Sequence, residues 1–142
     1  MSPWPGWRGG AIAAERRPRV LLIEDDLALG RMLIWELEER GIQAVLAGSC
    51  AEALRAAQSA TFHLVVVDAD LPDGDGVGLA EHLASSRGNG AVVIYSGRHD
   101  ICGARGERPA VRAVLTKPVR VREILALLST PSPHGTMPST FG

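Results

Sequence analysis

The stretch HLVVVDADLPDGDG, residues 63–76, decides the fold of this chain. Residues 64–67 form a run of four apolar residues, three of them β-branched, which is typical of a buried strand. The run stops at Asp68, and a proline and two glycines then break the chain, as turn residues do. Because parallel α/β sheets bind ligands beyond the carboxyl ends of their strands, Asp68 is predicted to lie in a binding site.

A second apolar run, VLLI at residues 20–23, leads directly into Glu24, Asp25 and Asp26. Two strand ends that carry carboxylates predict one acidic pocket, since such ends meet at one edge of a parallel sheet. The alternative is that these acids are solvated turn residues. Asp26 is expected only to start the helix that follows, where an acid stabilises the N-terminus.

The rest of the chain alternates strand and helix patterns. Leucines at positions 29, 33 and 37 repeat with helical spacing, and Gly41 is expected to end that helix. Residues 98–109 contain two glycines and a proline, so a helix there is predicted to be short, loose or absent. Strands are predicted at residues 19–23, 42–47, 63–67, 91–95 and 111–116, and helices at residues 27–40, 49–60, 77–84 and 121–128.

This alternation predicts an α/β protein with a doubly wound, five-stranded parallel sheet, right-handed crossovers and helices on both faces. A length of 142 residues suits one domain, which we place at residues 19–128. Segments 1–18 and 129–142 are rich in proline, glycine and small polar residues and are predicted to be disordered tails. Trp4 and Trp7 could dock on a partner or on the domain itself.

Composition excludes several classes of function. The net charge of −1 indicates no nucleic-acid surface, and the apolar runs are too short to cross a membrane. The N-terminus lacks the apolar core of a secretion signal, so a cytoplasmic protein is expected. Cys50 and Cys102 lack metal-ligand spacing and are interpreted as free thiols, with one disulfide as the alternative.

Reactive side chains follow four of the predicted strands; they are Glu24, Asp25, Asp68, Ser96 and Lys117. Clustered carboxylates repel one another, and Mg²⁺ removes that conflict because it prefers oxygen ligands and often binds phosphate as well. A nearby ammonium and hydroxyl suit a phosphoryl group, whose oxygens carry negative charge. Since an aspartate can itself take a phosphoryl group as an acyl phosphate, the set predicts a phosphoryl-acceptor site.

Four segments together resemble the receiver domain of two-component response regulators, the CheY-like superfamily. They are VLLIEDD (20–26), VVVDADLPDGDG (65–76), VVIYSG (92–97) and LTKP (115–118). The resemblance covers about residues 19–128. It implies a flavodoxin-like receiver fold with strand order 2-1-3-4-5 and, here, a weak or absent fourth helix.

The resemblance also implies roles for individual residues. Asp68 would be the phosphoacceptor. Asp25 and Asp68 would hold Mg²⁺, with Glu24 acting mainly through water and the backbone carbonyl of Asp70 completing the metal site.

The phosphoryl group itself would meet two further side chains. Ser96 stands where the family has Ser or Thr and would bond a phosphoryl oxygen. Lys117 would pair with the phosphate, and Pro118 would be the family's following proline, commonly in a cis bond.

The chain departs from the family at positions linked to switching. Many receivers carry an aromatic residue where this chain has Val114, and an aromatic is also common at Val119. The pair Ser96-Gly97 and the weak fourth helix are similar to an alphaproteobacterial receiver subclass, the FATGUY group, although the Phe and Ala of that motif are missing. In that subclass, switching would come from ordering of the 98–112 loop.

Several polar residues near the predicted pocket are expected to play no chemical part. Asp73 and Asp75 belong to Asp-Gly pairs, which serve turns. The four histidines share no ligand spacing. His99 and Asp100 could face the pocket mouth and tune loss of the phosphoryl group, but surface positions are the simpler interpretation.

Three hypotheses for function remain. The first is a stand-alone receiver, a monomer or weak homodimer, that takes a phosphoryl group from a histidine kinase or histidine phosphotransfer protein and signals by contact with a downstream protein. It would be no enzyme beyond its own Mg²⁺-dependent phosphorylation and slow dephosphorylation. The second is a degenerate receiver that only binds a partner. The third, a hydrolase of the haloacid dehalogenase type, is favoured only by the acid at Asp70.

Overall fold

The computed structural model describes residues 17–86, 89–97 and 111–129. Along the chain its elements are β1 (Arg19–Ile23), α1 (Leu27–Glu39), β2 (Gln43–Ala47), α2 (Cys50–Ser59), β3 (Phe62–Asp68), β4 (Asp70–Leu71), β5 (Gly74–Asp75), α3 (Gly76–Ala84), β6 (Asn89–Ser96), β7 (Ala113–Thr116) and α4 (Val121–Ser129).

Five of the strands form one sheet in the order β2-β1-β3-β6-β7, and each neighbouring pair is parallel. With the two short strands β4 and β5 set aside, this is the predicted order 2-1-3-4-5. The doubly wound α/β fold is therefore confirmed. The described residues hold four helices, and the segment in which the weak fifth one was considered, 98–109, lies outside them.

The strands separate two apolar layers because successive side chains point to opposite faces of a sheet. One layer packs α2 and α3 against alternate residues of the central strands, among them Leu21, Val65 and Val92. The other layer packs α1 and α4 against the residues between them, among them Leu22 and Val66. Burial on both faces explains why these strands are continuous apolar runs in the sequence.

Helix α1 begins where the sequence predicts and ends at Glu39, one residue before the predicted end. The Asp26 side chain accepts a hydrogen bond of 3.2 Å from the backbone N–H of Leu29 and thereby caps the N-terminus. At the other end Gly41 has a φ of 81°, a conformation that glycine adopts without steric cost. The backbone N–H groups of Gly41 and Ile42 donate to the carbonyls of Glu38 and Leu37, which closes the helix with a Schellman motif.

Helix α2 uses a modified capping box. The Ser49 side chain accepts a hydrogen bond from the backbone N–H of Glu52, as the sequence predicts. The Glu52 carboxylate, however, accepts from the N–H of Gly48 at 2.6 Å and thus binds one residue before the cap. Both bonds fix the point where β2 turns into α2.

Several element bounds differ from the sequence prediction because pairing with neighbours, and not local composition, sets them. Strand β3 includes Asp68, which pairs in register with Tyr95 of β6. Strand β7 begins at Ala113 instead of residue 111. Residues 70–75 form a two-stranded antiparallel hairpin, β4 with β5, where only a turn was predicted.

Among the residues that the structure describes, no helix is both long and apolar enough to cross a membrane. Cys50 carries a free thiol. The two predicted tails lie almost wholly outside the described ranges, as do Trp4, Trp7 and Cys102.

Candidate functional site

The candidate site lies at the carboxyl edge of the sheet, next to the apolar layer between the sheet and helices α1 and α4. Strand residues that face α1 and α4, such as Leu22, Val66 and Val93, alternate with those that face the other layer. Two positions further along these three strands, the same face carries Glu24, Asp68 and Tyr95, and Lys117 follows on that face two residues after Leu115, the partner of Tyr95. Four polar side chains thus converge because each of them points to the same face of the sheet at the end of its strand.

Three carboxylates lie together at this edge. Glu24, Asp25 and Asp68 each offer an oxygen atom, and these atoms all lie within 4.8 Å of one another. Glu24 and Asp68 are buried, with exposed fractions of 0% and 1%, whereas Asp25 is exposed. A set of hard oxygen donors open to solvent on one side fits a divalent cation such as Mg²⁺ or Ca²⁺. The acidic cluster can therefore bind a metal ion.

Lys117 supplies the positive charge within this cluster. Its Nζ atom lies 3.1 Å from Oδ2 of Asp68 and 3.4 Å from Oε1 of Glu24. Burial lowers the pKa of Lys117, but its hydrogen bond to Asp68 and the charges of both carboxylates raise that pKa by more. The ammonium form is consequently held between the two buried acids.

Asp68 has an unusual electrostatic environment for a carboxylate. Burial and the neighbouring Glu24 raise the pKa of Asp68 to about 6, although hydrogen bonds from Asp70 and Lys117 lower it. The Asp70 bond runs from its backbone N–H to Oδ1 of Asp68 at 2.9 Å. Two buried acids that share one lysine leave Asp68 short of compensating charge, which a metal ion would supply.

Tyr95 is the residue of this site that sequence reasoning missed. Its hydroxyl donates a hydrogen bond of 2.5 Å to Oε1 of Glu24, and the side chain is only 1% exposed. Burial raises the pKa of Tyr95, so the hydroxyl keeps its proton and is the donor. The alternation that places Asp68 and Lys117 on one face includes position 95 as well, so the signal was present in the strand pattern VVIYS.

Glu24 is fixed by several donors. Its Oε2 atom accepts from the backbone N–H of Asp26 at 3.0 Å, and Oε1 accepts from Tyr95. Burial raises the pKa of Glu24, but these hydrogen bonds and the nearby Lys117 lower it by more, so the net shift is downward. Glu24 is therefore an ionised carboxylate in the interior of the site.

Ser96 and the strand ends around it complete the edge. Ser96 is fully buried, and its carbonyl accepts a hydrogen bond of 2.9 Å from the backbone N–H of Lys117. The Lys117-Pro118 peptide bond is cis, as the family resemblance implies. The backbone N–H of Ala69 donates to the carbonyl of Tyr95 at 2.9 Å, which ties the residue after Asp68 to the neighbouring strand.

The segment after Asp68 is held by two aspartates for which only turns were predicted. Asp75 caps helix α3 and accepts from the N–H of Val77. Asp73 reaches a different helix, and its two oxygens accept from the backbone N–H groups of Cys50 and Ala51 at 2.8 and 3.2 Å. The contacts of Asp73 were missed because the start of α2 lies more than twenty residues away in sequence.

Close backbone packing fixes the same segment from inside. A Cβ atom on Gly76 would lie 2.0 Å from the carbonyl oxygen of Asp68 and 2.8 Å from backbone atoms of Ala69. Only glycine fits where α3 begins against the end of β3, so the position of Asp68 depends on Gly76.

Replacing Asp73 with Asn is expected to loosen the start of α2 without disturbing the acidic cluster. The pKa of Asp73 lies below its usual value because of the hydrogen bond from Cys50, so the ionised form carries the contact. Hydrogen exchange measured by NMR should show faster exchange at the Cys50 and Ala51 amides in the variant. Asp75→Asn is the comparison variant, because Asp75 caps α3 and does not contact these two amides. Unchanged exchange at the Cys50 and Ala51 amides in Asp73→Asn would contradict this role.

Other predicted residues lie apart from the acidic cluster or outside the described ranges. Val114 is half-buried and packs against the α2–α3 layer, and Val119 is buried against α1 and α4. His99 and Asp100 lie outside the described residues. The structure shows Asp70 exposed at the start of the small hairpin, and the metal role of its carbonyl stays a prediction.

Comparisons with known proteins agree with this geometry. The family model "Response regulator receiver domain" matches residues 20–129. The sensor protein TorS of Escherichia coli (strain K12) is 38% identical over 113 residues, which cover 78% of this chain and 12% of TorS. The chain spans 12 to 61% of the length of five curated relatives that it matches.

Solved structures give the same result. The non-phosphorylated HemR receiver domain from Leptospira biflexa is 31% identical, with a TM-score of 0.70 that covers 83% of this chain and 99% of that one. A response regulator protein from Burkholderia pseudomallei, solved with a phosphorylated aspartic acid, calcium ion and citrate, is 26% identical with a TM-score of 0.72, covering 80% and 67%. By its family model, its sheet order and its acidic edge, the chain belongs to the receiver domain family of two-component response regulators.

Proposed function

We propose that this receiver accepts a phosphoryl group on Asp68 and is a signalling switch whose only substrate is its phosphoryl donor. The observation that carries the proposal is the position of Asp68, a buried carboxylate within 4.8 Å of two other acids and 3.1 Å from a lysine ammonium. The phosphorylated aspartic acid in the Burkholderia pseudomallei relative supports the same chemistry. An intact set of acids, serine and lysine argues against a degenerate receiver.

In this proposal Asp68, Lys117 and Ser96 have different roles in phosphoryl transfer. An oxygen of Asp68 forms a bond to the phosphorus of the donor, while the bond from phosphorus to the donor's nitrogen or oxygen breaks and its electron pair leaves with the donor. Lys117 then pairs with the phosphoryl oxygens, and the Ser96 hydroxyl donates a hydrogen bond to one of them. Both groups stabilise negative charge where it develops.

Mg²⁺ is the proposed metal ion. Asp25 and Asp68 would hold it directly, Glu24 through water, and the carbonyl of Asp70 would complete the set; the three carboxylates supply the hard oxygen donors that this ion prefers. When bound, it neutralises charge on the transferring phosphoryl group.

The proposed donor is a histidine kinase or a histidine phosphotransfer protein, and the output is contact with a downstream protein. The match to a 113-residue stretch of the sensor protein TorS supports a partner of the sensor-kinase kind. We also propose membership of the FATGUY subclass, with the 98–112 loop as the switching segment. Val114 stands where many receivers carry an aromatic residue, which supports a switch that does not depend on an aromatic side chain at that position.

Intact mass spectrometry after incubation with Mg²⁺ and acetyl phosphate tests the proposal. The wild-type protein should gain one phosphoryl group, and chelation of Mg²⁺ should prevent the gain. Asp68→Asn should gain none, whereas Asp73→Asn, in the same segment but outside the acidic cluster, should be phosphorylated like the wild type. Absence of the adduct in wild type, even after trapping of short-lived species, would favour the degenerate receiver; rapid turnover of acetyl phosphate would favour a hydrolase.

A further inference from the structure

Tyr95 contacts a residue that follows a non-adjacent strand, Glu24. It stands on β6, whereas Glu24 follows β1, and β3 lies between these two strands. Neighbouring strands are about 4.8 Å apart, so the two backbones are separated by about 10 Å. The Tyr95 side chain therefore crosses beneath the end of β3, next to Asp68, to place its hydroxyl on Glu24.

The Tyr95 hydroxyl is an uncharged donor to Oε1 of Glu24, the same oxygen that lies near the lysine. Oε1 of Glu24 receives the Tyr95 hydrogen bond and lies 3.4 Å from Nζ of Lys117, and Oε2 receives the N–H of Asp26. Without the hydroxyl, Oε1 would lose its neutral donor and would depend more on the lysine for compensation. Lys117 would then be drawn from Asp68 toward Glu24, because one cation would have to serve both acids.

The ring of Tyr95 restrains the lysine directly. Nζ of Lys117 lies 5.0 Å from the centroid of the ring, a distance at which the ring face attracts a cation. The same side chain thus touches both charged neighbours of Asp68, one through its hydroxyl and one through its ring. Complete burial leaves it no room to change position without disturbing the layer between the sheet and helices α1 and α4.

We propose that Tyr95 is a positioning residue of the phosphoacceptor site, whose hydroxyl fixes the Glu24 carboxylate and whose ring fixes the Lys117 ammonium before metal or phosphoryl donor binds. The inference rests on the proposed function, since it concerns the same acidic cluster. Partners that orient metal ligands commonly change metal affinity by 10- to 100-fold when they are removed. Tyr95 acts through Glu24 and Lys117 and touches no reacting atom itself.

Metal binding, measured without any phosphoryl donor, tests the hydroxyl. Isothermal titration calorimetry with MgCl₂ should give a Kd about tenfold higher for Tyr95→Phe than for wild type. Ile94→Val is the matched control, since Ile94 is equally buried on the same strand but faces the other layer, away from the cluster. It should bind Mg²⁺ as tightly as wild type, which separates positioning from a general loss of packing.

A spectroscopic signal gives a second measurement that does not depend on variants. The chain contains one tyrosine, so a ¹³Cζ-tyrosine label yields a single resonance. Titration of the wild type with Mg²⁺ should shift this resonance with the same midpoint as the calorimetry. A resonance that stays unmoved while the protein binds Mg²⁺ would overturn the inference.

The outcomes also separate this inference from the function on which it rests. Wild type that binds Mg²⁺ and is phosphorylated, with Tyr95→Phe binding within twofold of it, overturns the role of Tyr95 and leaves the receiver function standing. Wild type that neither binds Mg²⁺ nor is phosphorylated overturns both. A tenfold weaker Kd in Tyr95→Phe, with Ile94→Val unchanged, supports the positioning role.

Discussion

Asp68→Asn is expected to raise the free energy of unfolding of the metal-free protein at pH 7, by up to about 3 kcal/mol. The reason is the raised pKa of Asp68, about 6 in the folded state against about 3.9 in an unfolded chain. Each unit of this difference corresponds to about 1.4 kcal/mol. The amide keeps the size of the carboxylate and can still accept the hydrogen bond from Asp70.

The sign of the pH dependence follows from proton binding. Between pH 4 and 6 the folded protein holds more protons at Asp68 than the unfolded chain does, so stability falls as the pH rises through this window. Well below pH 4 the carboxyl is neutral in both the folded and the unfolded state, so the variant should be little more stable than wild type. The advantage of Asp68→Asn over wild type should therefore grow from pH 4 to pH 6 and stay constant above it.

Urea unfolding in EDTA at several pH values measures this difference. Asp73→Asn is the control, because hydrogen bonds lower the pKa of Asp73 and its loss should act in the opposite direction, as a destabilisation that is present at neutral pH. An Asp68→Asn variant that is less stable than wild type at pH 7 would contradict the assignment of Asp68 as an under-compensated buried acid.

Lys117→Met is expected to destabilise the metal-free protein by about 3 kcal/mol at pH 8. Methionine keeps much of the apolar stem but removes the ammonium that lies 3.1 Å from Asp68 and 3.4 Å from Glu24. Removal of one partner from a buried ion pair leaves an uncompensated charge, which commonly costs about 3 to 5 kcal/mol. Because the lysine side chain is 29% exposed, we place the effect at the lower end of that range.

A divalent cation should reverse most of this loss. Mg²⁺ bound to the folded state adds stability in proportion to the logarithm of its concentration over its Kd. The increase on addition of Mg²⁺ should therefore be larger in Lys117→Met than in wild type, since the metal ion takes over the neutralisation of both acids.

Arg120→Met is the matched control for the lysine variant, because it also removes one positive charge but from an exposed position. Such surface changes usually stay within about 0.5 kcal/mol. Equal unfolding midpoints for Lys117→Met and Arg120→Met in EDTA would show that Lys117 does not compensate the buried acids.

The order and type of the main elements were predictable from the sequence because burial on both faces imposes continuous apolar runs and helices impose their own period. The runs at residues 20–23 and 64–67 appear as β1 and β3, and the Asp26 cap and the Gly41 end of α1 are confirmed. Family resemblance supplied the strand order, which local patterns alone do not encode.

The hairpin of β4 and β5 and the hydrogen bonds of Asp73 to the start of α2 were not predictable from local sequence patterns. Both depend on which backbone groups come close after the chain folds, and the partners of Asp73 at Cys50 and Ala51 lie on another element. Local sequence shows only Asp-Gly pairs, which fit a plain turn equally well.

By itself the sequence determined that Glu24, Asp25, Asp68, Ser96 and Lys117 stand at or just past strand ends, because each follows a mainly apolar run of the kind that forms a buried strand. The tertiary structure decided how they share charge: two of the acids are buried, one lysine lies between them, and the pKa of Asp68 rises accordingly. It also decided that Tyr95 belongs to the site. Burial and distances across non-adjacent strands set these energies, and neither exists until the sheet is assembled.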